Sequence, residues 1–183
     1  GLCEYSYVSA YKQTLVKFFK DPSILNIFRF NKNFFRPSLS RTNLLSCRFG
    51  ENYSRNTVSF QRRLINKKIQ KFKITKKINR FSYFKELNNS KVVVSPFGWG
   101  EISLRDFEVF ITGGLLYKPN MNHLITWPNF FEENKTIKCF SWNLIDFDIN
   151  LEKILDNYKN FISISEEAQN RYLKYTISED AFE

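Results

Sequence analysis

The stretch Lys91-Val92-Val93-Val94-Ser95-Pro96-Phe97-Gly98-Trp99-Gly100 decides the fold. Three consecutive valines without polar alternation are the pattern of a strand buried on both faces, as in a parallel sheet covered by helices. A turn with two glycines follows, then helical periodicity over 101–112, then Gly113-Gly114 as a stop and a second apolar run, Leu115-Leu116-Tyr117. Strand, helix and strand at this spacing predict a βαβ unit with parallel strands and a right-handed crossover.

Working outward, Leu44 to Cys47 predicts a strand, 56–69 a helix and 82–88 a short helix. Beyond the central unit, 136–140 reads as a strand, 151–158 as a helix, and 165–175 as a helix with Glu166 and Glu167 in its first turn. This alternation defines the α/β class, with a Rossmann-like parallel sheet flanked by helices over residues 44–183. Residues 1–43 are different. Their aromatic clusters are split by Asp21-Pro22 and Arg36-Pro37, and only Leu15, Val16, Phe18 and Phe19 suggest a short helix. They are expected to be a linker or the remnant of an N-terminal domain.

Hydrophobic residues make up 43% of the 183 residues and aromatics 17%, which excludes wholesale disorder and requires a packed core. No apolar run approaches the roughly 20 residues that span a bilayer, and the start lacks a basic segment followed by an apolar one. A cytoplasmic place is expected, with peripheral association at a membrane surface as the variant. Cys3, Cys47 and Cys139 lie far apart and only one histidine, His123, accompanies them. Neither a zinc site nor a disulfide framework is suggested, so no metal and no cofactor are expected.

The net charge of +10 conceals a division: residues 1–100 hold 20 Lys/Arg against 4 Asp/Glu, and residues 101–183 hold 8 against 14. A basic half invites a phosphate-bearing partner. From Arg62 to Arg80 there are nine Lys/Arg and no acid, with Ile65, Ile69, Phe72, Ile74 and Ile78 interleaved. That run suits either a solvated cationic face of a helix and a following strand, or a nucleic-acid surface. The first is preferred because stacking aromatics are not evident in it, and no specific nucleic-acid partner is expected.

Ligands of open α/β sheets bind beyond the carboxyl ends of the strands, which is where the turn from Ser95 to Gly100 falls. Gly98 and Gly100 remove side chains so that a phosphate or sugar can approach the backbone, and a helix start behind them offers free N–H groups. If the helix begins at Glu101, then Glu101, Arg105, Glu108 and Thr112 share one stripe while Leu104, Phe107 and Ile111 face the sheet. The plain alternative is a Glu101–Arg105 surface pair worth about 0.3–0.5 kcal/mol. Trp99 suits stacking on a base or sugar, or covering the sheet edge. His123 follows a strand end and is a binding candidate or an ordinary loop residue.

Four segments carry a family resemblance: Ser95-Pro96-Phe97-Gly98-Trp99-Gly100-Glu101-Ile102, Arg105-Asp106-Phe107-Glu108-Val109-Phe110, Gly113-Gly114-Leu115-Leu116-Tyr117-Lys118-Pro119, and Met121-Asn122-His123-Leu124-Ile125-Thr126-Trp127-Pro128. They resemble the donor-domain motif of exostosin-like, GT-B-fold glycosyltransferases, weakly before Ser82 and strongly from Lys91 to Trp142. The resemblance implies a glycosyltransferase with two Rossmann-like domains, a cleft between them, no catalytic metal, and a nucleotide sugar held mainly by the C-terminal domain. It implies that Glu108 grips the ribose hydroxyls and that Glu101 and the glycine turn face the diphosphate and sugar. Six residues separate Glu101 from Glu108, where many retaining relatives have seven, and Asn120 stands where relatives often carry Asp.

The candidate site therefore comprises Glu101 and Arg105 as catalytic residues, with Ser95, Phe97, Gly98, Trp99, Gly100, Glu108 and His123 binding the donor. Arg105 is expected to neutralise diphosphate charge as the nucleotide leaves. The expected partners are a nucleotide sugar, a saccharide or other hydroxyl acceptor such as a polysaccharide, and a second Rossmann-like domain in cis or in trans. The isolated chain is expected to turn over little. The alternatives are a basic RNA-binding module and a sugar-nucleotide-binding protein without turnover.

Overall fold

A computed structural model describes residues 35–72 and 78–176. The expected helix around Leu15 to Phe19 and part of the strand expected after the first basic helix lie outside these residues. Among the described residues four strands form one sheet: β1 (Asn43–Ser46), β2 (Ser90–Val94), β3 (Leu115–Pro119) and β4 (Lys138–Phe140). Their order is β1-β2-β3-β4 and every pairing is parallel, with Leu45 opposite Val92, Val92 opposite Leu115, and Tyr117 opposite Lys138. Among the described residues the α-helices are α1 (Asn56–Lys68), α2 (Arg80–Asn89), α3 (Leu104–Thr112), α4 (Phe147–Asp156) and α5 (Ile162–Thr176). This is the α/β, Rossmann-like architecture expected from the valine run and the glycine turn.

The pleat sends alternate side chains to two helical layers. Leu45, Val92, Val94, Leu115, Tyr117 and Phe140 form one core with Ile65 of α1 and with Phe147, Leu151 and Ile154 of α4. On the opposite face α2, α3 and α5 pack together, and Phe107 and Phe110 of α3 meet Tyr172 of α5 at 5.9 and 6.2 Å between ring centroids. Val92, Val93 and Val94 are at most 1% exposed, so β2 is covered from both sides. Among the described residues no helix is long and apolar enough to cross a membrane.

Helix starts differ from expectation for identifiable reasons. The helix expected from Glu101 begins at Leu104, because residues 98–100 close on themselves through Gly98 N–H to Gly100 O (3.0 Å) and Ser103 holds an extended N-cap conformation. Asp106 accepts the Ser103 N–H at 2.8 Å, which fixes that start. The helix expected over 151–158 is α4, beginning a turn earlier behind Asp146, whose carboxylate also takes the Ser141 N–H at 2.8 Å. Thr136, expected in a strand, uses its hydroxyl in the preceding turn, accepting from Glu132 N–H at 2.9 Å and donating to Phe130 O at 2.8 Å. β4 is correspondingly short. After α1 the described chain continues as a 3₁₀ turn, Gln70–Phe72, rather than a strand.

Gly113 ends α3 at φ 68°, as a left-handed helix cap demands. Residues 35–43 belong to the same compact unit as the sheet. Arg41, only 5% exposed, ties them to the domain by donating to Leu87 O at 3.1 Å and Ser90 O at 2.9 Å.

Candidate functional site

Beyond the carboxyl ends of β2, β3 and β4 lies an open cleft of about 380 Å³. Phe97, Gly98, Gly100 and Glu101 line it from the loop after β2. Asn120 and His123 come from the loop after β3, and Trp142 from the loop after β4. Pro119 at the end of β3, with Arg55, Thr57 and Val58 at the start of α1, completes the lining. The volume falls within the range of small-molecule sites.

The cleft has an aromatic and a polar side. Phe97 lies 5.7 Å from Trp142 and 6.1 Å from His123 between ring centroids. Glu101 Oε1 lies 4.0 Å from His123 Nε2, and both side chains are about half-exposed. Arg55 and Thr57 are exposed at the first residues of α1, and Arg55 makes no side-chain cap, so backbone N–H groups of the first turn are not taken by it. An added Cβ at Gly100 would meet nothing nearer than Ile102 O at 4.0 Å, so open space lies beside this glycine.

The remaining candidates take other places. Ser95 is fully buried and donates to Asp106 Oδ1 at 2.6 Å, outside the cleft lining. Trp99 is 70% exposed on the rim, with its ring 6.1 Å from Tyr53. Arg105 is the N-terminal neighbour of Asp106 in α3, and its guanidinium donates to Arg48 O, away from the cleft. Glu101 precedes α3, so the shared helical stripe of Glu101, Arg105 and Glu108 does not form, nor does a Glu101–Arg105 pair. Glu108 lies at the α2–α3 junction, where Tyr83 donates to its Oε2 at 3.1 Å and Arg80 approaches Oε1 at 3.7 Å. Burial, then the Glu108 charge, pushes the Tyr83 phenol well above its ordinary value, so it stays a proton donor.

Two cations matter more than their sequence context suggested. Arg62, inside the run read as a solvated face, is 4% exposed. It donates from Nε to Phe97 O and from Nη1 to Gly50 O, each at 2.7 Å, and its guanidinium lies 4.1 Å from the centre of the Tyr53 ring. Burial holds this guanidinium below its ordinary pKa. Lys118 of β3 is fully buried, 2.9 Å from Asp106. Elsewhere in the run, Lys68 pairs with Asp148 and Lys71 with Glu152, so acids of α4 neutralise part of it.

Among the described residues no group of three or more His, Cys, Asp or Glu side chains is gathered as a metal set. Burial, reinforced by Glu133, pushes the Cys139 thiol up to about 12, which keeps it protonated and unreactive at neutral pH.

The fold and site define a Rossmann-like α/β domain with a polar and aromatic cleft at the carboxyl edge of its sheet. No family model matches the chain, and no curated protein matches it.

Proposed function

We propose that this domain binds a nucleotide-activated sugar in the cleft and serves as the donor half of a glycosyltransferase acting on a hydroxyl acceptor. One observation carries the reading: Phe97, Gly98, Gly100, Glu101 and His123, all from segments with the glycosyltransferase resemblance, converge with Asn120 and Trp142 on one cavity at the strand ends.

Each part of such a donor has suitable chemistry near it. The side-chain-free backbone at Gly100 admits a bulky polar group close to the chain, whereas the space beside Gly98 is taken by Tyr53 and Arg62. Arg55 and the first turn of α1 favour the diphosphate, through a guanidinium charge and backbone N–H groups. They take the role first assigned to Arg105, whose guanidinium is engaged by Arg48 O. Glu101 and His123 suit the sugar hydroxyls, and Trp142 with Phe97 suits an apolar sugar or base face. The resemblance assigns Glu108 to the ribose; it lies outside the cleft lining, against Tyr83 and Arg80 of α2.

In the reaction the bond from the anomeric carbon to the diphosphate oxygen breaks and its electron pair leaves with the nucleoside diphosphate. The acceptor hydroxyl oxygen forms the new bond to that carbon and loses its proton to a base. Positive charge near the diphosphate lowers the barrier by stabilising the departing group.

Calorimetric titration with a panel of nucleoside diphosphate hexoses tests the proposal. Saturable one-to-one binding of at least one member, weakened by Arg55→Ala more for the diphosphate than for the nucleoside, is the expected result. Absence of binding across the panel would remove the donor assignment.

A further inference from the structure

We propose that Lys118 and Arg62 are positioning residues that hold the loop 97–101 in its ligand-accepting shape from opposite sides. The ligand part of this inference rests on the proposed donor site, whereas the loop part stands without it.

All five residues of β3 are buried, and Lys118 sits among them with no exposure. An ammonium there is costly unless paired and hydrogen-bonded. Lys118 Nζ reaches Asp106 Oδ2 at 2.9 Å and donates to Glu101 O at 2.7 Å, with the ring centres of Phe97 and Phe131 at 5.3 and 5.6 Å. Asp106, also fully buried, additionally accepts from Ser95 Oγ at 2.6 Å and Ser103 N at 2.8 Å. This network joins the end of β2, the loop and the start of α3.

Arg62 meets the loop from α1, taking Phe97 O at 2.7 Å. The carbonyls of Phe97 and Glu101 are therefore each held by a buried or nearly buried cation, and they bracket Gly98, Trp99 and Gly100. Within the bracket, Gly98 N–H closes onto Gly100 O at 3.0 Å. Buried ion pairs contribute little net stability compared with apolar residues of the same volume. What the Lys118 ammonium supplies here is a donor fixed on Glu101 O, which sets where the Glu101 carboxylate enters the cleft beside His123.

The double variant Lys118→Met/Asp106→Asn separates positioning from folding, because it removes both charges of the buried pair together. Lys118→Met alone leaves Asp106 buried and unpaired and is expected to melt well below the wild type, with the double variant recovering most of that loss. In the double variant, hydrogen exchange of the Gly98 amide should quicken about 10-fold or more, the effect of losing one well-placed charged hydrogen bond. Affinity for a nucleoside diphosphate hexose that binds the wild type should fall by a similar factor, and affinity for the free nucleoside much less. Wild-type exchange and wild-type affinity in a folded double variant would overturn the inference. If the wild type binds no member of the donor panel, the functional proposal fails, and amide exchange alone still decides the positioning role. Should the double variant not fold, Arg62→Gln decides on the same readouts: unchanged Gly98 exchange would overturn the claim.

Discussion

Tyr83 donates its phenolic proton to Glu108 Oε2 over 3.1 Å, while Glu108 Oε1 faces Arg80 at 3.7 Å. The second distance exceeds a hydrogen bond, so Oε1 can exchange that contact for a ligand hydroxyl. Glu101 lies in a different place, beside His123 in the cleft. The two glutamates should therefore report on different parts of the donor. Glu108→Ala is expected to remove about 1.5–3 kcal/mol of binding from the free nucleoside diphosphate, as for a charged hydrogen bond. Glu101→Gln should spare that ligand and weaken only the nucleotide sugar. Calorimetry on both variants checks this, and equal, negligible effects would reduce both residues to structural polar contacts.

Gly113 offers a stability test independent of ligand. Its φ of 68° is strained for any residue with a side chain, and an added Cβ would lie 2.5 Å from Phe35 O and 2.8 Å from Pro37 N. Gly113→Ala should lower unfolding free energy by roughly 1–3 kcal/mol, seen as a lower urea midpoint at unchanged slope. A loss under about 0.5 kcal/mol, the scale of an ordinary surface substitution, would mean that residues 35–37 do not pack against the end of α3.

Alkaline pH should destabilise the fold. The Cys139 thiol is raised from an ordinary value near 9 to about 12, by burial first and Glu133 second. The Tyr117 phenol is raised as well, by burial first and Asp146 second. Above pH 9 the unfolded chain releases the thiol proton while the folded chain keeps it, so the folded state binds more protons and stability falls as pH rises. The thiol's share approaches roughly 1.4 kcal/mol per pH unit. Cys139→Ala should flatten the decline between about pH 9 and pH 10, near the ordinary thiol and phenol values. An unchanged slope would show that the thiol is not held protonated.

Much of this architecture is legible in local sequence, because local physics determines it. The valine run needs no distant partner to be read as a two-sided buried strand, and Gly113-Gly114 marks its own helix end. The starts of elements are less legible. Ser103 and Asp106 form a Ser-x-x-Asp capping pattern that marks the start of α3, but the periodicity running back to Glu101 obscured it. Arg62 disappeared into a charge run, although Val58, Arg62, Ile65 and Ile69 share one helical stripe and so mark it as inward-facing. Lys118 could be recognised as anomalous within Leu115-Leu116-Tyr117, yet its partner lies on another element, and pairing across elements leaves no local trace. Arg55 and Trp142 reach the cleft through the same tertiary convergence.

The most direct test of the donor cleft uses Gly100, where the fold has room for a side chain and a ligand would not. Gly100→Leu should keep the wild-type melting temperature within about 2 °C, as a surface change does. Its affinity for the nucleoside diphosphate hexose that binds the wild type best should fall by about 100-fold or more, since the new side chain occupies the space over the loop. Unchanged affinity in this folded variant would contradict the account, because a sugar nucleotide bound elsewhere would owe nothing to the cleft at the strand ends.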